Sequence, residues 1–263
     1  HNSPTNSDKT EDDNSATSTS GSVTVATVSH NTIQDNAIGI FVTGPVRPEH
    51  RVINNEILRS KRVGVRISNG AKLTLGTVGR RESNLIADTQ GACGLEICDE
   101  HTTPKIYGNI FRGNQNTGIL CRLASTATII DNAFEDHTDG TRDACGIRIV
   151  EELRGISEIR DNTFKANDIG VYIGDQFESS TMNKGSRVHV KANTFFGQNC
   201  SAVVAHGTNA PLVSDNTIEV HKLGDSFAAI TIKGSCVQFC SGIPLGSCHT
   251  ARICPMTYLC VVL

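Results

Sequence analysis

A short motif of alternating polar and apolar residues recurs along most of the chain. The motif is Asn-x-Ile or Asn-x-Phe, and it begins at Asn31, Asn55, Asn84, Asn109, Asn132, Asn162, Asn193 and Asn216. Successive copies are 23 to 31 residues apart. This spread is too wide for an ankyrin-type array, but it suits a coil whose turns carry loops of different length. Each of the eight copies therefore predicts one turn of a solenoid.

A second short strand follows each motif after eight to fourteen residues. It starts on a small residue and then alternates with period two, at Gly39, Gly64, Gly94, Gly118, Gly146, Gly170, Ala202 and Ala229. No copy contains an apolar run with a 3.6-residue period that is long enough for a crossover helix. The strands must therefore stack on their own successors as parallel neighbours, and such connections are nearly always right-handed. The sequence predicts an all-β fold, a right-handed parallel β-helix of about eight turns.

The alternation also assigns the two faces of these strands. One inward column is predicted to form a continuous apolar stack, made of Ile40, Val65, Leu95, Ile119, Ile147, Val171, Val203 and Ile230. The recurrent asparagines fit a tight corner where the chain visits a left-handed conformation, and their amides can form a hydrogen-bonded ladder along the axis.

The repeats resemble those of the pectin-lyase-like superfamily, which includes carbohydrate-binding and sugar-hydrolase repeat domains. The resemblance is carried by Asp161-Asn-Thr-Phe164 with Asn167-Asp-Ile-Gly-Val-Tyr-Ile173, and by His30-Asn-Thr-Ile33 with Asn36-Ala-Ile-Gly-Ile40. It covers about residues 22 to 235. The resemblance implies the β-helix fold, and it is compatible with polysaccharide lyases, epimerases and glycosidases as well as with non-enzymatic surface proteins.

Three segments are expected: a disordered polar stalk over residues 1–21, the β-helix over 22–235, and a Cys-rich C-terminal cap over 236–263. The stalk holds a net charge of −3, which equals the charge of the whole chain, so the remainder is neutral. A neutral body argues against nucleic acid and anionic membranes as partners. No apolar run is long enough to span a bilayer, so no transmembrane segment is expected.

The chain has 10 cysteines, which favours an oxidising compartment and a secreted or cell-surface location. Because the sequence begins at His1 rather than Met, an upstream segment is expected, either an export signal that has been removed or another part of the protein. Three cysteines, Cys93, Cys145 and Cys200, are predicted to stack two turns apart as buried thiols, too far apart to pair.

The C-terminal cap holds the other cluster. We predict at least two disulfides among Cys236, Cys240, Cys248, Cys254 and Cys260, with zinc binding as the alternative. Because this cluster has five cysteines, at least one of them must pair with a cysteine elsewhere or stay free.

Chemistry is expected on the outer face of the strands that begin with Gly or Ala. There, five charged or aromatic side chains share one face over turns two to six: Arg66, Glu96, Arg122, Arg148 and Tyr172. This face resembles the groove of a lyase, in which a cation neutralises a uronate carboxylate and a base removes the proton next to it. By this resemblance Arg148 or Tyr172 is the candidate base, and Arg122 is the candidate clamp that binds the carboxylate. Arg66, Glu96 and Asp99 are the candidate binding residues. The alternative is that these side chains only cover the sheet, each pair contributing roughly 0.2 to 1 kcal/mol.

Cofactors are not expected, because no two histidines lie at metal-ligand spacing with cysteine. Outside the C-terminal cap, calcium is the one alternative, at Asp99, Glu100 and Asp175, although their spacing matches no known loop motif. Hydrolysis of sugars needs two nearby carboxylates, and the outward column offers only Glu96. Polymer grooves usually present aromatic faces, whereas this chain has no Trp and 3 Tyr.

Two function classes follow. The first is an extracellular non-catalytic β-helix surface protein, with polysaccharides or cell-surface glycans as its candidate partners. The second is a polysaccharide lyase or epimerase that acts on uronic-acid polymers. The scarcity of aromatic residues and the plain polar loops of the longest turns favour the first.

Overall fold

The computed structural model describes residues 25–45, 50–123, 125–140, 143–150, 156–174, 187–206, 211–219, 228–233, 252–254 and 258–261. The predicted stalk lies outside these residues, as does most of the predicted cap.

The described residues form three sheets, and every turn contributes one strand to each. The first sheet contains β1 (Thr27–Ser29), β4 (Arg51–Ile53), β7 (Thr74–Gly76), β10 (Lys105–Tyr107), β13 (Thr128–Ile130), β16 (Ile156–Arg160), β19 (Arg187–Lys191) and β22 (Leu212–Ser214). The second contains β2 (Thr32–Gln34), β5 (Glu56–Leu58), β8 (Leu85–Ala87), β11 (Ile110–Arg112), β14 (Ala133–Glu135), β17 (Thr163–Lys165), β20 (Thr194–Phe196) and β23 (Thr217–Glu219). The third contains β3 (Ile38–Thr43), β6 (Val63–Ser68), β9 (Cys93–Ile97), β12 (Thr117–Cys121), β15 (Cys145–Ile149), β18 (Ile169–Ile173), β21 (Ser201–His206), β24 (Ala228–Lys233), β25 (Arg252–Cys254) and β26 (Tyr258–Val261).

Strands β1 to β24 pair in parallel with the equivalent strand of the next turn, which confirms the predicted parallel β-helix of eight turns. The inward column of the third sheet is confirmed as well. In register, Ile119 pairs with Ile147, and Ile147 with Val171, and all three side chains are fully buried. Only Ile40, in the first turn, is partly buried rather than enclosed.

A column of aromatic rings fills the interior behind the second sheet. Phe111, Phe134, Phe164 and Phe195 are fully buried, and consecutive rings lie 5.1, 4.8 and 4.7 Å apart between centroids, almost parallel. The Phe of the Asn-x-Phe motif therefore packs against the same residue of the next turn. The spacing between these rings matches the separation of neighbouring strands in a sheet. The rings can therefore stack while the backbones of successive turns remain hydrogen-bonded.

The motif asparagines form the predicted ladder. In each rung the side-chain Oδ1 accepts hydrogen bonds from the backbone N–H and the Nδ2 of the preceding turn's asparagine. At Asn132 these distances are 2.9 and 3.1 Å from Asn109. The Nδ2 of Asn132 in turn donates to the carbonyl oxygens of Ile106 and Ile130. These bonds satisfy backbone groups that the corner would otherwise leave buried and unpaired.

The position of the left-handed residue differs from the prediction. It is the residue before the asparagine that has positive φ, as at Asn54 (52°), Asp131 (59°) and Asp161 (58°). This residue turns the chain, and the asparagine that follows is then directed into the interior, where its amide can reach both neighbouring turns. His30, which precedes Asn31, likewise has positive φ (59°).

A second polar ladder, which was not predicted, runs along the corner between the second and third sheets. It includes Asn114, His137, Asn167 and Gln198, all buried. His137 Nδ1 lies 2.8 Å from Asn167 Oδ1, and His137 Nε2 lies 3.3 Å from Asn114 Nδ2. An amide oxygen can only accept and an amide nitrogen can only donate, so these partners assign the proton to Nδ1. A second proton, on Nε2, would face the Asn114 donor.

Burial in this ladder lowers the pKa of His137 to about 4. A neutral imidazole is therefore favoured in the folded state, and the unfolded state takes up the proton near pH 6.5. We expect the ionisation of His137 to leave the free energy of unfolding unchanged above pH 6.5. As the pH falls to about 4, it should lower the free energy of unfolding progressively, by up to about 3 kcal/mol. The matched variant is His137→Asn, because asparagine occupies the adjacent rungs at Asn114 and Asn167. Urea unfolding at pH 7 and pH 4.5 should show a smaller loss of stability on acidification in the variant, whereas equal losses would contradict the assignment.

Strand β26 runs opposite to the strands of the β-helix. β26 pairs antiparallel with β24, and β25 pairs antiparallel with β26. The segment 258–261 thus hydrogen-bonds along the final edge of the third sheet, where a cap is useful because an open edge promotes association. The side chains of the five cap cysteines lie outside the described residues, so the predicted disulfides stay a prediction.

One cysteine is misplaced in the predicted stack. Cys93 and Cys145 occupy equivalent positions in β9 and β15, but in β21 that position belongs to Ser201, which pairs with Ile169, and Cys200 lies one residue earlier. The strand of this turn begins with Ser-Ala rather than with Cys-Gly, so the extra cysteine precedes the strand. Cys93 and Cys145 are buried free thiols, as predicted, whereas Cys200 is only half-buried.

Candidate functional site

The outer face of the third sheet carries the predicted constellation in the predicted register. Arg66 pairs with Glu96, Glu96 with Leu120, Leu120 with Arg148, and Arg148 with Tyr172. Parallel pairing therefore brings these outward side chains into one column. They differ from the prediction in exposure, since Glu96 is 5% exposed and Tyr172 is 4% exposed although both point away from the core.

Glu96 is covered because two arginines fold over it. Arg122 reaches Glu96 Oε1 with Nη2 at 2.6 Å and Nε at 2.8 Å, while Arg66 Nε lies 3.2 Å from Oε2. Both arginine side chains are about one-third exposed, at 31% and 33%. Charge-assisted hydrogen bonds between guanidinium groups and a carboxylate are short and strong, so the three side chains hold one another in place. The three residues thus make a charged cluster with one excess positive charge.

A second cluster lies two strands further along. The guanidinium of Arg148 lies 4.9 Å from the centroid of the Tyr172 ring, in a cation–π contact, and it also donates to the carbonyl oxygen of Asp143. The other neighbour of Tyr172 is His206, at 5.3 Å between ring centroids. The Tyr172 ring is therefore enclosed by Arg148 and His206, which explains its low exposure. The structure brings the two candidate bases together and separates them from the candidate clamp, Arg122, which contacts Glu96.

Asp99 lies at the end of β9, beside the first cluster. Its Oδ2 accepts from the backbone N–H of Asn69 at 3.3 Å and from the Cys98 thiol at 3.6 Å. The neighbouring Glu100 is exposed and lies 3.7 Å from His101 Nε2. Asp175, the third residue of the calcium alternative, lies outside the described residues. Among the residues that the structure describes, no group of three or more His, Cys, Asp or Glu side chains could hold a metal ion.

A groove of about 310 Å³ opens beside Arg148, and sequence reasoning missed most of it. Its lining comes from the third sheet and from the loops before β9, β12 and β15: Ala92, Asn116, Thr117, Leu120, Asp139, Asp143 and Arg148. It combines an amide, a hydroxyl, two carboxylates and a guanidinium with two apolar side chains, those of Ala92 and Leu120. Asp139 and Asp143 belong to the loop between β14 and β15, where the unusually long offset before Gly146 was the only sequence signal.

The thiols of this region are chemically inert. Burial raises the pKa of Cys121 and of Cys145 to about 12, and it raises the pKa of Cys93 further. The reactive form of cysteine is the thiolate, which these environments disfavour. These residues act as small apolar fillers between strands.

A family model described as the right-handed β-helix region matches residues 5–134 and 46–218, which together cover most of the chain. The chain belongs to the right-handed β-helix family. This agrees with the three parallel sheets and with the handedness that strand connections favour. A search among curated proteins finds no match to this β-helix.

Membership of the right-handed β-helix family establishes the fold and leaves the chemistry to the site, because one fold hosts many activities. In the described part of this β-helix, no helix is long and apolar enough to cross a membrane.

Proposed function

We propose that this β-helix is a non-catalytic extracellular surface protein that binds a hydroxyl-rich glycan in the groove beside Arg148. The proposal rests on the side chains that line the groove. Asn116, Thr117, Asp139 and Asp143 lie there next to the apolar side chain of Leu120. Ligand sites combine hydrogen-bonding groups with apolar contacts in this way, and a sugar can use both.

The state of the candidate catalytic residues supports binding over catalysis. The Arg122 guanidinium, the candidate clamp, is already paired with the buried carboxylate of Glu96. The Arg148 guanidinium, a candidate base, is held by a carbonyl oxygen and an aromatic face. The Tyr172 ring is 4% exposed, so a polymer on the surface has little access to it.

The extracellular location rests on the cysteine content, above all on the five in the C-terminal segment 236–263. Buried free thiols are compatible with it, because a thiol whose pKa is about 12, as for Cys121 and Cys145, is slow to oxidise.

The proposal predicts an effect of one charge in the groove. Asp143 is exposed and lines the groove, so Asp143→Asn should weaken binding of a neutral glycan about tenfold by removing a charged hydrogen-bond acceptor. Asp136→Asn is the matched control, since Asp136 is an exposed aspartate outside the groove lining, and its positive φ (58°) is tolerated by asparagine. Affinities should be measured on immobilised neutral glycans and on alginates, pectates and glycosaminoglycans.

Three outcomes are distinguishable in this measurement. The proposal is supported if Asp143→Asn binds neutral glycans more weakly than the unchanged protein and Asp136→Asn binds them equally well. Stronger binding of anionic glycans by Asp143→Asn would indicate a uronate ligand, because a repelling charge has been removed. Equal behaviour of both variants, or no binding to any glycan, would contradict the groove as the site.

The second candidate function is a polysaccharide lyase or epimerase acting on uronic-acid polymers. The proximity of Arg148 and Tyr172 favours it, since a guanidinium 4.9 Å from a phenol ring can stabilise negative charge that develops there. Elimination by a lyase leaves an unsaturated uronate that absorbs in the ultraviolet. An increase in absorbance with alginate, pectate or glycosaminoglycans, abolished by Tyr172→Phe, would favour the enzyme over the binding protein.

A further inference from the structure

Among the described residues, the first turn of the solenoid has one unpaired edge and a partly exposed core. Strands β1, β2 and β3 each pair with the second turn on one side, and no described strand pairs with them on the other. Val28 is 37% exposed and Phe41 is 55% exposed, while Ile33, Ile40 and Val42 are only partly buried. In the second turn the residues in register with Ile33, Ile40 and Val42 are fully buried.

This edge lacks the features with which proteins usually block association. The three strands read Thr-Val-Ser, Thr-Ile-Gln and Ile-Gly-Ile-Phe-Val-Thr, with no charged residue and no proline. Natural edge strands commonly carry lysine, proline or an inward charge that prevents pairing with another chain. The second turn already contains such charges, at Arg51, Glu56 and Arg66. The uncharged character is therefore a property of the first described turn.

In the third sheet the opposite end differs, because β26 pairs antiparallel along the edge of β24 and β25 pairs along β26. Stacking of β3 of one molecule on β24 of another would have to displace these two strands. Association through two N-terminal ends does not meet this obstacle.

Two N-terminal ends are complementary under a two-fold axis. When one β-helix is inverted on another, the strands at the junction run antiparallel, and the order of the three faces is reversed. If β3 meets its own copy, β1 then meets β2 of the second copy, and these two strands have the same length of 3 residues. The side-chain alternation also agrees, because Val28 and Ile33 are the central, inward residues of β1 and β2.

The same symmetry fixes the register of β3. Inward residues must face inward residues, so Ile40 pairs with Val42 of the second copy, and Phe41 pairs with itself on the outer face. We infer that this protein forms a symmetric dimer through its N-terminal turn, in which the three edge strands continue into a second copy and the two hydrophobic interiors become continuous. A C₂ interface of this kind is isologous, so the same residues of both copies contribute to it.

Phe41 provides the test, because the axis places it against its own copy. The full chain is compared with Phe41→Lys and Phe41→Glu by sedimentation velocity over a range of protein concentration. We expect the unchanged chain to dimerise, each variant alone to dissociate at least tenfold more readily, and an equimolar mixture of the two variants to recover the dimer through opposite charges. Val78→Lys is the control, since Val78 is 62% exposed and lies in the loop after β7.

A monomeric unchanged chain would overturn the inference, as would a dimer that Phe41→Lys leaves intact or that Val78→Lys disrupts equally. Hydrogen exchange of the unchanged chain gives an independent reading that does not depend on the folding of a variant. Amides of β1, β2 and β3 should become protected as concentration rises. Protection that does not depend on concentration would instead show that residues 1–24 of the same chain cover the edge.

Discussion

Replacement of Ile147 by aspartate is expected to unfold the protein. Ile147 is fully buried between Ile119 and Val171 of the adjacent turns, where a carboxylate would have neither water nor a cation. Burial of an unpaired charge costs several kcal/mol, which is comparable with the total stability of most domains. Circular dichroism at 25 °C should therefore show loss of the β signal, or a urea midpoint near zero.

Leu120→Asp is the matched control for this prediction. Leu120 belongs to the next strand of the same sheet, but its side chain points outward and is half-buried between Glu96 and Arg148. The same substitution there should cost about 1 kcal/mol or less, because the carboxylate remains hydrated. Similar unfolding midpoints for the two variants would mean that the assignment of inner and outer faces is wrong.

The face assignment could be made from the sequence because it depends on a period. Alternation within each strand, and the recurrence of asparagine, determine which residues of successive turns are in register, so the stacking of Arg66, Glu96, Arg148 and Tyr172 was predictable. Their exposure was not predictable in this way. It depends on where the long side chains of Arg122 and Arg148 fold, and those conformations respond to partners in neighbouring columns.

The second polar ladder illustrates a signal that the sequence contained but that was not recognised. Its members occupy the fifth position after a motif asparagine, so that Asn114 follows Asn109, and His137 follows Asn132. The residue type varies among Asn, His and Gln, all of which can accept and donate hydrogen bonds. A search for one residue type misses such a column, whereas a search for side chains that do both finds it.

The groove beside Arg148 could not be derived in the same manner. Asp139 and Asp143 lie in a loop between β14 and β15, and a loop has no period that assigns its side chains to a face. The sequence indicated only that the segment between Asn132 and Gly146 is longer than the corresponding segments of the two neighbouring turns. The chemistry of the candidate site therefore depends on the irregular part of the repeat, while the stability of the fold depends on the regular part.

Replacement of Asn132 by aspartate tests that regular part with almost no change in shape. Asn132 is fully buried, and its Nδ2 donates to the carbonyl oxygens of Ile106 (2.9 Å) and Ile130 (3.0 Å). A carboxylate cannot donate, so both carbonyl oxygens would lose a partner and face a negative charge. We expect a loss of at least about 3 kcal/mol in the free energy of unfolding, measured in urea at pH 7.

Two comparisons separate this effect from a general intolerance of charge. Asn31→Asp, at the exposed end of the same ladder, should cost about 1 kcal/mol or less because water can replace the lost partners. The deficit of Asn132→Asp relative to the unchanged protein should also shrink as the pH is lowered toward 4. Burial raises the folded-state pKa of the introduced carboxyl above its unfolded value, and the protonated form regains one donor. A deficit that is independent of pH, or equal at positions 31 and 132, would show that the amide ladder does not stabilise the fold.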